Sequence, residues 1–255
     1  MQIDGSTILI TGASGGLGAA MARDLHARGA SLVLSARNVE VLDTLAAELD
    51  AEVIVADLSD RADVERLAAR AATCDILVAN AGVGNDPALA ELSEQDIDFS
   101  LDVNLRAPIV LSHAFARAKI DAAKEGKVVL VGSLAGMAAS PGSRMYNATK
   151  FGLRGFALSF AQELDGTGVS CSLVAPGFIR DAGMFHDGGV ELPAGVRTKS
   201  PADVAAGVVK AITTDATEVF VSPPELRIAT TLATVAPGLA GTIQRKLGVT
   251  ELQTD

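Results

Sequence analysis

The sequence predicts an α/β fold, a single doubly wound parallel sheet with helices on both faces. Three observations predict it. Short aliphatic and β-branched runs alternate with longer helical patterns through most of the 255 residues. Those runs are nearly continuously apolar, as strands covered on both faces must be. Glycine-bearing and polar segments fall just after several of them, at the carboxyl ends where such sheets form their sites. No linker interrupts the alternation, and a chain that is 49% hydrophobic can fill one sizeable core, so residues 1–255 read as one domain.

The elements follow in order. Strands are expected at Thr7 to Ile10, Ser31 to Ser35, Glu52 to Ala56, Ile76 to Ala79, Lys127 to Val131, Val169 to Val174 and Glu218 to Val221. Between them, helical spacing covers Gly16 to Arg28, Val39 to Leu49 and Ala62 to Ala72. Ser93 to Lys119 is long, and Pro108 should bend or interrupt it, since proline has no N–H for the helix ladder. Arg144 to Leu164 is the next helix. Pro201 to Ile212 opens with a clear entry signal: Ser200 as a cap, Pro201 in the first turn and Asp203 facing the positive helix end. Two segments break the rhythm. Residues 178–199 are glycine-rich and read as a substrate loop over the site. Residues 223–255 form a tail, with a helix from Leu226, a break at Pro237-Gly238 and a short basic helix near Arg245-Lys246.

The bulk numbers narrow the partners. A net charge of −10 argues against nucleic acid or an anionic membrane surface. No run of about 20 apolar residues is present, so no membrane span is expected, and the N-terminus does not read as a signal peptide. Cys74 and Cys171 sit in or beside apolar runs and read as buried free thiols, which places the chain in a reducing cytoplasm. The histidines His26, His113 and His186 are too scattered for a metal site, and none is expected.

Two constellations carry chemistry. Gly12-Ala13-Ser14-Gly15-Gly16-Leu17-Gly18 lies between an apolar strand and a helix. Glycines there allow the backbone to approach a pyrophosphate, and the helix N-terminus offers N–H donors and a positive dipole end. A tight structural turn is the plainer alternative. The second is Tyr146-Asn147-Ala148-Thr149-Lys150, with Ser133 upstream. A free phenol has a pKa of about 10. An ammonium one helical turn away favours the phenolate, which would make Tyr146 an acid/base. Ser133 would hydrogen-bond a substrate oxygen and stabilise charge developing on it.

With these motifs in place, the chain resembles the short-chain dehydrogenase/reductase family over about residues 5 to 220. Thr11 to Gly18 match that family's cofactor turn, so Gly12, Ser14, Gly15, Gly16, Leu17 and Gly18 are candidate cofactor contacts. Asn80-Ala81-Gly82 match the motif after strand four and Pro176-Gly177 the motif after strand six. Asn104, Ser133, Tyr146 and Lys150 match the catalytic tetrad. The resemblance implies a Rossmann-like fold and a nicotinamide cofactor. It gives Lys150 a second role on the nicotinamide ribose, and Asn104 the holding of a water that links Lys150 to solvent. It also implies a homodimer or homotetramer, with the helices bearing Asn104 and Tyr146 at an interface.

Cofactor choice is read at the end of strand two. Ala36 stands where NAD-preferring members tend to carry Asp, and Arg37 follows. A guanidinium can pair bidentately with a 2′-phosphate, so NADP(H) is expected rather than NAD(H). Asp57-Leu58 resemble the adenine contact, with helix capping or loop bonding as an alternative for Asp57.

The resemblance thins towards the C-terminus. Asp181 falls near the place where many members have a nicotinamide-contacting Thr, and an ionised carboxylate cannot donate, so backbone groups of Ile179 are the candidate instead. The tail could cover the pocket, self-associate or lie on a membrane, of which the last is least favoured. Leu134, Met137, Met145, Phe178, Met184 and Phe185 are the candidate pocket lining, suited to a hydrophobic ketone, aldehyde or β-ketoacyl group. The expected activity is NADP(H)-dependent hydride transfer to a carbonyl. The rivals are an oxidative NAD-dependent alcohol dehydrogenase, a non-catalytic NADP-binding sensor and a membrane-associated lipid-modifying enzyme.

Overall fold

The computed structural model describes residues 1–84, 86–183 and 197–246. Seven parallel strands form one sheet: β1 (Thr7–Thr11), β2 (Ser31–Ala36), β3 (Glu52–Val55), β4 (Ile76–Ala79), β5 (Gly126–Val131), β6 (Val169–Pro176) and β7 (Glu218–Val221). Their spatial order is β3-β2-β1-β4-β5-β6-β7. The chain winds outward from β1 in one direction through β3 and then crosses back, so that β4 pairs with β1 at Ile8 and Ile76. That reversal makes the β1/β4 junction the switch point where a crevice opens outside the strand ends. All seven expected strands are present, within one or two residues.

Helices cover both faces. The helices α1 (Gly16–Ala27), α2 (Val39–Leu49) and α7 (Pro201–Thr214) bury Met21, Leu25, Leu42, Leu45, Val204 and Val208 against one face. On the other lie α3 (Arg61–Ala71), α5 (Ala107–Asp121) and α6 (Arg144–Glu163), with Leu67, Leu111, Phe115 and Leu153 buried. Ser200 caps α7 in a reciprocal capping box with Asp203, and Pro201 sits in its first turn, as the sequence indicated. Cys74 and Cys171 are free and buried, and burial pushes the Cys171 thiol up to about 12. His26 and His113 stand exposed on α1 and α5.

The long helix expected over residues 93–119 is divided, and not by Pro108 alone. A short helix α4 (Glu94–Leu101) runs into a π turn at Asp102–Arg106, and α5 begins at Ala107 with Pro108 in its first turn. Proline cannot donate to the carbonyl four residues earlier, which is that of Asn104. The wider turn absorbs this mismatch and turns Asn104 inward, where it is 1% exposed.

The tail forms α8 (Pro224–Val235) and α9 (Pro237–Lys246), broken at Ala236. The start of α8 lies over the site edge. Leu226 approaches Gly177 beside Leu134, and the Thr234 hydroxyl donates to the Met137 carbonyl at 2.8 Å. No helix among the described residues is long and apolar enough to cross a membrane.

Candidate active site

The site is assembled at the carboxyl edge of the central strands. The glycine turn follows β1, Asn80 follows β4, Ser133 follows β5, and Pro176 ends β6 with Gly177 next. These four segments, remote in sequence, meet because the strands are parallel and in register.

The turn after β1 requires glycine at defined points. Gly12 has φ +66, and a Cβ there would lie 2.8 Å from the Ala81 backbone. At Gly18 a Cβ would lie 2.2 Å from the Gly12 carbonyl oxygen, so the turn closes only because the helix presents no side chain there. Thr11 ties this turn to β4. Its hydroxyl is buried and accepts from the backbone N–H groups of Asn80 and Ala81, each at 3.0 Å. The Asn80 side chain donates back to the carbonyls of Thr11 (3.0 Å) and Gly12 (3.3 Å). Asn80 therefore shapes the turn, through bonds made to the protein itself. Its neighbour Gly82 leaves room for Asn104 and Lys150, whose Oδ1 and Nζ would lie 3.1 and 3.5 Å from a Cβ at that position.

A dinucleotide fits this cradle on its own features. The N-terminus of α1 has no side-chain cap and no acidic residue in its first turn, whereas α2, α3, α4 and α7 are each capped by a side chain. Its leading N–H groups thus lie at the exposed Gly15 and Gly16 with no capping side chain and no first-turn carboxylate to compete for them. Ala182 bounds the cradle, because a Cβ on Gly16 would come within 2.3 Å of the Ala182 side chain. Leu17 lies under Gly183. Ser14 is partly buried within the same turn.

At the far end of β2, Arg37 reaches towards the Asp57 carboxylate (4.0 Å) and lies 5.9 Å from the Phe99 ring centre. Asp57 Oδ1 accepts from the N–H (2.9 Å) and hydroxyl (2.7 Å) of Ser59, so the loop-bonding role for Asp57 is realised. Asp60, not Asp57, caps α3. Leu58 is buried beside it.

Ser133, Tyr146 and Lys150 come together. The Ser133 hydroxyl stands near enough to the Tyr146 phenol to lower its pKa, and it accepts from the Ala135 N–H at 3.1 Å. Lys150 is buried on α6, donates to the Val131 carbonyl at 3.1 Å and lies 5.6 Å from the centre of the Tyr146 ring. The expected depression of the phenol pKa by Lys150 is not what this arrangement produces. Burial raises the Tyr146 pKa, and the Ser133 hydrogen bond opposes it. The ammonium is committed to Val131 and is itself pushed down by burial, to about 8.

That shift has a pH signature. Between about 8 and the ordinary lysine value of 10.5, the unfolded chain holds a proton at residue 150 that the folded chain has lost. The destabilising contribution of Lys150 is therefore full below this window and fades as the pH rises through it. Thermal unfolding should find Lys150→Met favoured over the parent near neutrality, with the gap narrowing across the window. A gap independent of pH contradicts the depressed lysine.

Asn104 is held at both ends of its amide. Oδ1 accepts from Val83 N–H (2.8 Å), and Nδ2 donates to the Val83 carbonyl (2.7 Å) and to Thr149 Oγ1 (3.3 Å). Thr149 in turn donates to the Tyr146 carbonyl at 2.9 Å. Ile179 is buried and bridges in parallel to Lys199, which pins the two ends of the expected substrate loop together. Of the candidate lining, Leu134 and Met137 are buried, and Met145 and Phe178 are partly exposed. Met184 and Phe185 lie outside the described residues, as does His186.

Sequence reasoning missed Asp86, Asn147 and Thr149. Asp86 accepts from the N–H groups of Met145 (2.5 Å) and Tyr146 (3.3 Å), serving the start of α6 where Ser143 provides no cap. No local pattern connects residues 60 positions apart. Asn147 and Thr149 were visible only as spacers between Tyr146 and Lys150.

Comparison with known proteins agrees with this geometry. Residues 6–189 match the family model described as short chain dehydrogenase. The chain is 40% identical over 187 residues to nodulation protein G of Rhizobium sp. (strain N33), covering 71% of this chain and 76% of that protein. It is 35% identical over 182 residues to the 3-oxoacyl-acyl-carrier-protein reductase FabG of Rickettsia conorii, covering 71% and 75%. Among solved structures, a short-chain dehydrogenase from Sphingobium yanoikuyae in complex with NADPH superposes with a TM-score of 0.79 at 26% identity, covering 94% of this chain and 95% of that one. A bulky-bulky ketone specific alcohol dehydrogenase from Comamonas testosteroni gives 0.77 at 27% identity, covering 92% and 94%. The family-model match stops short of α7, β7 and the tail.

Proposed function

The chain belongs to the short-chain dehydrogenase/reductase family, oxidoreductases acting on C=O and CH–OH groups, and from that premise we propose an NADPH-dependent carbonyl reductase of small hydrophobic substrates. The observation that carries the reading is the placing of Ser133 and Tyr146 together, with Lys150 Nζ 5.6 Å from the Tyr146 ring centre, on the same sheet edge as the glycine cradle.

Gly12 to Gly18 would hold the pyrophosphate, Arg37 the 2′-phosphate, Asp57 and Leu58 the adenine side, and Asn80 to Gly82, Pro176, Gly177 and Ile179 the nicotinamide half. When bound, the nicotinamide supplies the hydride to the carbonyl carbon, or takes it up in the reverse direction. Ser133 donates to the substrate oxygen and stabilises the charge that grows there. Tyr146 delivers the proton to that oxygen. Burial keeps the phenol protonated at neutral pH, which suits a proton donor and favours the reductive direction. Lys150, carrying a pKa of about 8, can return a proton to Tyr146, and Asn104 links this inner group to the loop after β4. Water is kept from the site by Leu134, Met137 and the start of α8, an apolar wall that favours a hydrophobic carbonyl over a sugar.

The relatives named for 3-oxoacyl reduction and for bulky ketones, and the relative solved with NADPH, support the same reading. The exposed Leu101 and Phe151 support self-association through α4 and α6, as a homodimer or homotetramer. Two buried free thiols suit a reducing cytoplasm. The test is NADPH consumption across ketones, aldehydes, β-ketoacyl thioesters and sugars, with NADH in parallel. Turnover of apolar carbonyls with preference for NADPH is expected. NADPH binding with no turnover of any carbonyl would overturn the reductase reading and leave a non-catalytic binder.

A further inference from the structure

Ser133 is carried by a segment that cannot hold its own shape. After β5 the chain makes a single 3₁₀ turn, Leu134–Gly136, and then an irregular stretch to Ser140. Turns this short are not self-supporting. Asn147 supplies what is missing. It is 6% exposed, and its Nδ2 donates to the carbonyls of Ala135 (2.8 Å) and Ala138 (3.2 Å). Its Oδ1 accepts from the Ser140 N–H at 3.1 Å. One amide thus grips three backbone groups within the eight residues that begin with Ser133, and it stands on α6 immediately after Tyr146. Gly136 completes the contact, since a Cβ there would lie 2.6 Å from the Lys150 carbonyl oxygen.

We infer that Asn147 is a positioning residue that holds Ser133 in hydrogen-bonding register with Tyr146. The inference rests on the proposed function only in that Ser133 and Tyr146 are taken as the proton-transfer pair. The chemistry of the grip selects this side chain. Two donors and one acceptor are needed in one neutral plane. Aspartate would face two carbonyls with a carboxylate, and alanine would leave all three backbone groups without their partner.

The protein contains its own probe. Tyr146 is its only tyrosine and there is no tryptophan, so near-ultraviolet phenolate absorbance reports Tyr146 alone. The Ser133 hydrogen bond lowers that phenol's pKa, so Ser133→Ala should raise it. Asn147→Ala should raise it in the same direction. The double variant should match Ser133→Ala alone, because the second change acts through a bond already lost. The alkaline limb of the pH–rate profile should move with the titration, and kcat should fall on the order of 10- to 100-fold with a smaller change in KM. Circular dichroism on the same samples confirms that the fold persists. Should Asn147→Ala not fold, Asn147→Ser, which keeps one hydroxyl donor, serves in its place with a smaller shift of the same sign. A phenol that titrates as in the parent, or shifts that add in the double variant, would overturn the inference. Absence of carbonyl turnover in the parent would instead remove the reductase reading, and the titration would still decide the role of Asn147.

Discussion

Tyr146→Phe should abolish carbonyl turnover, lowering kcat by roughly 10²- to 10⁴-fold, the range a positioned general acid contributes, while NADPH binding stays within a few-fold of the parent. The asymmetry follows from what the hydroxyl touches. It stands beside Ser133, and the cradle formed by Gly12 to Gly18 makes its close contacts elsewhere. Stability should change little. The ring stays in place, and Ser133 Oγ still accepts from the Ala135 N–H, so no buried group is orphaned. The loss of one hydrogen bond costs about 0.5–1.5 kcal/mol. Steady-state kinetics beside cofactor titration and thermal unfolding separate these effects. Turnover near the parent's rate would move the proton source to another group.

The same site shows where sequence alone was sufficient. Tyr146 and Lys150 face one way because four residues make one helical turn, and the glycine turn follows β1 because both neighbours have strong periodicity. Local rules carry such features. What they cannot carry is burial. The cation was expected to draw the phenol pKa down, but the ammonium is turned to the Val131 carbonyl and desolvation acts on both groups. The balance between charge and burial is a tertiary property, set by how β5 and α6 pack. Asp86 and Asn147 were hidden for the same reason. Each bonds backbone groups distant in sequence or conformation, and nothing in residue type distinguishes such an Asp or Asn from an exposed one. The π turn at Asp102–Arg106 was half legible: Pro108 announced an interruption, yet its position depends on Asn104 reaching Val83. The tail was legible as two helices with a break, and its seat over Leu134 and Gly177 was one of three roles the sequence left open.

Arg37→Asp should invert cofactor preference, weakening NADPH by roughly 10²-fold or more while NADH binds as before or better. In the proposed reading the Arg37 guanidinium meets the 2′-phosphate, since the Ala36 side chain beside it has no polar atom. Charge-assisted hydrogen bonds contribute about 1.5–3 kcal/mol, or roughly 10- to 100-fold. A carboxylate in its place adds repulsion of the phosphate and an acceptor for a ribose hydroxyl. The substitution should cost the fold little. The Arg37 side chain is 59% exposed, and its contact with Asp57 is 4.0 Å long, the kind of surface pair that stabilises by no more than about 1 kcal/mol. The new carboxylate does stand beside Asp57, so Arg37→Ala is the control that removes the cation without adding an anion. It should lose NADPH affinity by the smaller, roughly 10- to 100-fold step and leave NADH untouched. If both cofactors weaken equally in either variant, Arg37 supports the adenine side in general and does not discriminate the phosphate. The distinction lies in the chemistry of one neighbouring pair. Ser59 occupies Asp57 Oδ1, and Arg37 holds Oδ2 only across 4.0 Å, so turning its donor fork outward to a phosphate gives up little.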